Sequence, residues 1–154
     1  MKPIAGLIAL TVLTLAPASA ALALDYRVAA ETDLGLGLVD ADAVEVVGSS
    51  RRITLTVVFP AANGDPAEVG VASVLIDCER ARYRMESMVG YDIDLKEKAR
   101  DSAGSEWVAA EEGTPFYPAS DFACRGIALP RAESPDLKTI VDGYLRRAAG
   151  ERAI

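Results

Sequence analysis

Two cysteines and the hairpin that holds the first of them limit this chain more than anything else in it. From Val71 to Tyr91 the sequence reads as two strands joined by the turn Glu79-Arg80-Ala81, with Cys78 at the end of the first strand. The other cysteine, Cys124, lies well downstream. A bridge between the two would tie the hairpin to the end of the globular region. One intramolecular pairing exists, Cys78 with Cys124, and two cysteines in an exported chain are expected to be oxidised. Closing a loop of about 46 residues stabilises a fold by roughly 4 kcal/mol in the chain-entropy picture. Two free thiols, or a bridge between chains, are the alternatives.

Export is read from the N-terminus. Lys2 supplies a positive start, and Ile4 to Leu15 form an apolar run broken by Gly6, Thr11 and Thr14. Pro17 follows, then Ala18-Ser-Ala20 and Ala21-Leu-Ala23, both of which fit a small-x-small cleavage site. The apolar run is short for a bilayer span, so residues 1–23 are expected to be a secretory signal peptide. A retained N-terminal anchor is the alternative. No cysteine lies near the cleavage zone, which argues against a lipid-anchored form.

The leader holds one basic residue and no acid, so the remainder has 15 basic and 23 acidic residues, a net charge of −8. Acidity of this size argues against non-specific nucleic-acid binding and against docking on anionic lipid. The mature chain is therefore expected to bind no nucleic acid and to make no stable membrane insertion. Its location is the periplasm or the cell surface.

Past the leader the pattern is mostly strand. Leu24 to Glu31 and Leu34 to Val39 are two extended runs, and Gly35 and Gly37 suggest close approach to another backbone. Asp40 to Asp42 is a turn, Ala43 to Val47 is extended, and Gly48-Ser49-Ser50 is a hairpin loop. In Arg52 to Phe59, Ile53, Leu55, Val57 and Phe59 alternate with Thr54, Thr56 and Val58, which argues a sheet with one face on a core. Pro60 ends that strand, and Asn63-Gly64 and Asp65-Pro66 mark a loop. Val69 to Cys78 puts Ala72, Val74, Ile76 and Cys78 on one face. The next strand puts Tyr83, Met85, Ser87, Val89 and Tyr91 opposite Arg82, Arg84, Glu86 and Met88. Short connections favour an antiparallel meander.

Asp92 to Gly113 is the least periodic stretch and reads as an excursion returning at Trp107-Val108-Ala109. Ser120 or Asp121 is the expected cap of a short helix carrying Phe122 and Cys124 inward. Ser134-Pro135-Asp136 starts a second helix, with Leu137, Ile140, Val141, Tyr144 and Leu145 at helical spacing and Gly150 as its stop. The expected fold is α+β: a mainly antiparallel β-sheet meander, a short helix near Cys124, a C-terminal amphipathic helix and one disulfide. The expected division is 1–23 signal peptide, 24–129 antiparallel β domain and 130–154 C-terminal helical extension.

The chain contains no histidine. This removes Ser-His-Asp and Cys-His nucleophile systems, histidine zinc sites and imidazole bases. Bridged cysteines offer neither a thiolate nor a metal ligand. Asp92, Asp94 and Glu97 lack the spacing of a calcium loop and read as a solvated acidic loop. Gly35-x-Gly37 lacks the third glycine and the helix of a phosphate cradle. No catalytic residue, metal or cofactor is expected. Arg80, Arg82 and Arg84 form a basic stripe in an acidic chain. They are either a partner-binding face or cross-strand pairs for acids such as Glu86 or Glu45. Trp107, Phe116, Tyr117 and Phe122 read as core and bridge packing.

The sequence resembles the bacterial surface-adhesin protein E family between about Asp25 and Cys124. The resemblance rests on Leu38-Val-Asp40, Asp42-Ala-Val44, the strand Ile53–Phe59, Ile76-Asp-Cys-Glu-Arg-Ala-Arg-Tyr-Arg84, Trp107, Gly113-Thr114 and the late Cys124. It implies a small antiparallel sheet, a short helix near the second cysteine and a Cys78–Cys124 bridge. It also implies a protein partner of the envelope or of a host. The chain departs from that pattern in its first strand, which lacks the usual tryptophan, and in the segment after Ile127. The expected function is a non-enzymatic binding or interaction module of the bacterial envelope. A small periplasmic ligand-binding protein or a carboxylate-based hydrolase is the alternative.

Overall fold

The computed structural model describes residues 24–32, 35–62 and 65–151, with the side chain of Glu151 left aside. The expected leader, Leu34 and the Asn63-Gly64 turn lie outside the described residues. The strands are β1 (Tyr26–Thr32), β2 (Gly35–Asp40), β3 (Glu45–Val47), β4 (Ser50–Phe59), β5 (Glu68–Asp77), β6 (Arg82–Tyr91), β7 (Glu97–Asp101) and β8 (Val108–Ala109). The helices are α1 (Phe116–Arg125) and α2 (Leu137–Glu151). The sheet runs β1-β2-β4-β5-β6-β7, with β3 added to β4 and β8 to β6. Every pairing is antiparallel, and the sheet curls into a half-barrel.

The long hairpins follow from local chemistry. β4 and β5 pair without interruption from Ser50↔Asp77 to Phe59↔Glu68. The β3–β4 turn uses Gly48 at φ 60°, a conformation glycine adopts without Cβ strain. At the β5–β6 turn, Asp77 accepts hydrogen bonds from the backbone N–H groups of Glu79 and Arg80, each at 3.2 Å. That capping explains the acid directly before Cys78.

β6 corrects the face assignment made from alternation. Ser73 pairs with Ser87 but Val74 pairs with Met85, so Glu86 is an extra residue in β6. A bulge of one residue moves every later side chain to the other face. Tyr83 and Met85 therefore share a face with Met88, while Val89 and Tyr91 share one with Arg82 and Arg84.

Both faces of the sheet carry core, in different halves. On one, Tyr26, Leu36, Leu38, Val58 and Val69 pack against Ile140, Val141, Tyr144 and Ala148 of α2. On the other, Val39, Ile53, Leu55, Ala72, Val74 and Ile76 pack with Ala119 of α1 and with Leu129. β4 is thus buried on both sides, with Ile53 and Leu55 toward α1 and Thr56 and Val58 toward α2. The chain passes between faces around the free edge of β1. There the Val28 N–H donates to the Pro130 carbonyl and the Ala132 N–H to the Tyr26 carbonyl, both at 2.8 Å. This return segment covers one edge, and the other edge is the short, charged, fully exposed β7.

Helix limits differ from expectation at both helices. α1 begins at Phe116, ahead of Ser120 and Asp121, because Pro118 falls in the first turn, where its missing N–H is not needed. Gly126 ends it at φ 68°. α2 is capped by Asp136, whose Oδ2 accepts from the Thr139 N–H at 2.9 Å and from its hydroxyl at 2.6 Å. Gly150 does not stop α2, which continues to Glu151.

Candidate functional site: an apolar groove in the half-barrel

The disulfide joins Cys78 and Cys124 with Cα atoms 5.5 Å apart, and so fastens α1 to the β5–β6 turn. Two further contacts seat the start of α1. Phe116 stacks on Tyr83 with ring centroids 3.9 Å apart and planes within 6°. Pro115 lies against Gly37, where an added Cβ would come within 2.6 Å of the proline Cβ. Gly37 is in β2 and Tyr83 in β6, which a flat sheet would hold roughly 14 Å apart across three strand spacings and further apart still along the strands. Adjacent residues touch both because the sheet curls. The α1 face is therefore the concave one.

α1 fills one end of that concave face and leaves the other open. The opening is a groove of about 430 Å³ crossing β1, β2, β4, β5 and β6. Its floor is the row Ala30, Gly37, Val57 and Gly70 in direct register, small except for Val57. Ala30 faces Gly37, Gly37 faces Val57 and Val57 faces Gly70; past the groove the same row continues through Gly90 of β6 to Ala99 of β7. Leu55, Ala72, Met85 and Met88 form one wall, Phe59 and Thr32 the other, and Gly113 to Phe116 close the end near β2. Among the described residues that line it none is charged, and Thr32 and Thr114 are the polar side chains. The Thr114 hydroxyl donates to the Glu111 carbonyl at 2.8 Å. The groove is within the size range of small-molecule sites and has their usual apolar lining.

The basic stripe lies elsewhere. Arg82 and Arg84 are on the α2 face, beyond the end of the sheet that α2 covers, and Arg80 is in the β5–β6 turn. Arg82 Nε donates to Asp77 Oδ2 at 3.0 Å, and Arg80 Nη1 donates to the same oxygen at 3.3 Å. The guanidinium carbons of Arg82 and Arg84 stand 4.8 and 5.1 Å from the centre of the Trp107 ring. Arg84 comes within 4.0 Å of Glu86, whose principal partner is Arg52 at 2.7 Å. Arg52 also reaches Glu45 at 2.8 Å, and Ser73 donates to Glu86 at 3.3 Å. Glu45 and Glu86 thus pair chiefly with Arg52, and Asp77 pairs with Arg80 and Arg82.

This network holds its acids ionised. Hydrogen bonds from Arg52 put the Glu86 carboxyl below its usual range against an opposing effect of burial. For Asp77, burial pushes the pKa up, and bonds from Arg82 and Arg80 outweigh it and bring it down. Asp25, Glu97 and Asp136 are likewise lowered, by Arg27, Arg100 and Thr139 first. A general acid needs displacement the other way. Asp92 caps the β6–β7 turn, accepting from the N–H groups of Asp94 and Lys96 at 3.0 and 2.9 Å. Among the described residues, no group of three or more Cys, Asp and Glu is placed to hold a metal ion.

No protein-family model, curated protein or solved structure matches this chain. The groove was not foreseen from the sequence. Its one trace there is Gly35 and Gly37, and of these Gly37 admits Pro115, while a Cβ on Gly35 would meet the Val58 carbonyl oxygen at 3.0 Å. Among the described residues, no helix is long and apolar enough to cross a membrane.

Proposed function

We propose that the chain is an exported, non-enzymatic binding module of the bacterial envelope whose ligand site is the concave groove. The observation that carries this reading is an open, uncharged cavity of about 430 Å³ on a face that is otherwise core. Contiguous exposed apolar surface marks an interaction site more often than it occurs idly. The leader-like N-terminus and the Cys78–Cys124 bridge support export. A neutral naphthylamine dye that brightens in apolar surroundings tests the site. Titration into oxidised protein is expected to saturate at one dye per chain. Gly70→Leu, which fills the floor, is expected to abolish the signal while the far-UV spectrum stays unchanged. A wild-type protein that never saturates overturns the reading.

A second reading puts a protein partner on the Arg80, Arg82, Arg84 and Trp107 surface. It is favoured by the two guanidinium groups over Trp107, since arginine and tryptophan dominate binding hot spots. The likeness to surface-adhesin protein E directs attention to envelope or host-matrix proteins as the partner. Reversing all three charges separates the readings: a protein interaction is lost, and dye binding is kept.

A further inference from the structure

We infer that the groove takes one unbranched, uncharged alkyl or acyl chain, laid across the strands, and that Met88 sets the length of chain it accepts. The inference rests on the concave groove being the ligand site and adds what fills it. Three features of the floor carry it.

The first is width. Side chains on one face of a strand recur every two residues, about 6.6 Å. A single row made of Ala30, Gly37, Val57 and Gly70, with one branched side chain among them, leaves a slot about one side chain wide. A helix with its side chains is about 10 Å across and does not enter. The second is shape. The slot follows a curled sheet, so an occupant that fills its whole length bends, which a methylene chain does and a long rigid skeleton of four fused rings does not. Along the row, three strand spacings from β1 to β5 make roughly 14 Å, and a fourth to Gly90 in β6 makes roughly 19 Å. One acyl chain spans half a bilayer core, about 15 Å. The third is charge. None of the described lining side chains offers a counter-ion, so a carboxylate drawn into the slot would lose water without replacement by them.

Met88 lies across this slot. A Cβ on Gly70 would sit 2.7 Å from Met88 Cε, so the methionine tip occupies the space above Gly70. Beyond it the row continues through Gly90 to Ala99, and nothing approaches a Cβ on Gly90 closer than 3.9 Å. Methionine is unbranched and adapts its rotamer readily. Swung aside, it joins the space over Gly90 to the rest of the groove.

The test is displacement of the naphthylamine dye by straight-chain 1-alkanols of increasing length, with fatty acids of equal length alongside. Affinity is expected to rise about fourfold per methylene up to a limit and then level off. Alkanols are expected to displace better than the ionised acids. Met88→Ala is expected to move the limit to longer chains, and Gly90→Leu to shorter ones. Gly90 lies outside the groove that takes the dye, so the dye titration of Gly90→Leu reports folding independently. Saturable dye binding with no dependence on chain length, or with the same limit in both variants, overturns this inference and leaves the ligand site standing. No dye binding at all removes both.

Discussion

Replacing Val141 by alanine removes two methyl groups from a side chain with no exposed surface. Val141 lies where α2 meets Leu36, Leu38, Val58 and Val69, so its loss opens a cavity between helix and sheet. Transfer alone accounts for about 1.6 kcal/mol at roughly 0.8 kcal/mol per buried carbon. The cavity term brings the expected cost to about 2–3 kcal/mol. For a domain of this size that lowers Tm by about 8–12 °C. Urea denaturation of the oxidised protein is the assay, and the midpoint is expected to fall with an unchanged slope. Arg146→Ala, on the exposed side of the same helix, serves as the control and should stay within about 0.5 kcal/mol of wild type. Tyr144→Phe falls between, losing about 1 kcal/mol with the hydrogen bond from its hydroxyl to the Thr32 carbonyl at 2.9 Å. If Val141→Ala matches Arg146→Ala, α2 is not part of the cooperative core, and residues 24–129 fold without it.

Two further outcomes are expected. Cys78→Ser with Cys124→Ser frees a loop spanning 46 residues and should cost about 4 kcal/mol, read as a lower denaturation midpoint that reductant reproduces in the wild type. Acid should destabilise the fold through its carboxylates. The folded pKa of Glu86, Asp77, Asp25 and Asp136 is depressed, so their contribution is full above the ordinary values, 4.5 for Glu and 3.8 for Asp. It is lost as pH falls through the folded values. Glu86→Gln should therefore be less stable at neutral pH and flatten the acid limb of stability against pH; an unchanged limb would remove the Arg52–Glu86 pair as a source.

The strands that alternate were legible and the interruptions were not. β4 stands out because Ile53, Leu55 and Val57 alternate with polar residues, and β5 because the Asp65-Pro66 loop and the turn after Cys78 bracket it. In β6 the alternation misleads past Glu86, since nothing in Met85-Glu86-Ser87 announces a bulge. β7 has no periodicity to read: all five of its residues are exposed, and four are charged. The start of α1 was hidden by Pro115 and Pro118, which suit a first turn but read as breakers. Arg82 and Arg84 share a face as their spacing requires, whereas Arg80 belongs to the turn. The groove depends on the register of Ala30, Gly37, Val57 and Gly70, which three separate strand pairings set. No local pattern encodes that.

The strand glycines in and beside the groove are not interchangeable, and the difference bears on why the groove is there. A glycine inside a strand costs about 0.5–1 kcal/mol relative to alanine, so Gly35, Gly37, Gly70 and Gly90 together forgo about 2–4 kcal/mol. That is large against a typical net stability of about 5–15 kcal/mol. Packing accounts for two of the four. Gly37 makes room for Pro115, whose ring anchors α1, and Gly35 lies against the Val58 carbonyl oxygen. The other two have no such cause. Only the flexible tip of Met88 crowds Gly70, and a Cβ on Gly90 would make no more than ordinary contact with Ala99, at 3.9 Å. Helix α1, at ten residues and about 15 Å, is too short to reach them along strands of ten residues and about 33 Å. Fold stability alone would favour alanine or a larger apolar residue at both positions. The two glycines that the fold does not need both lie on the line from the groove past Met88 to the sheet edge.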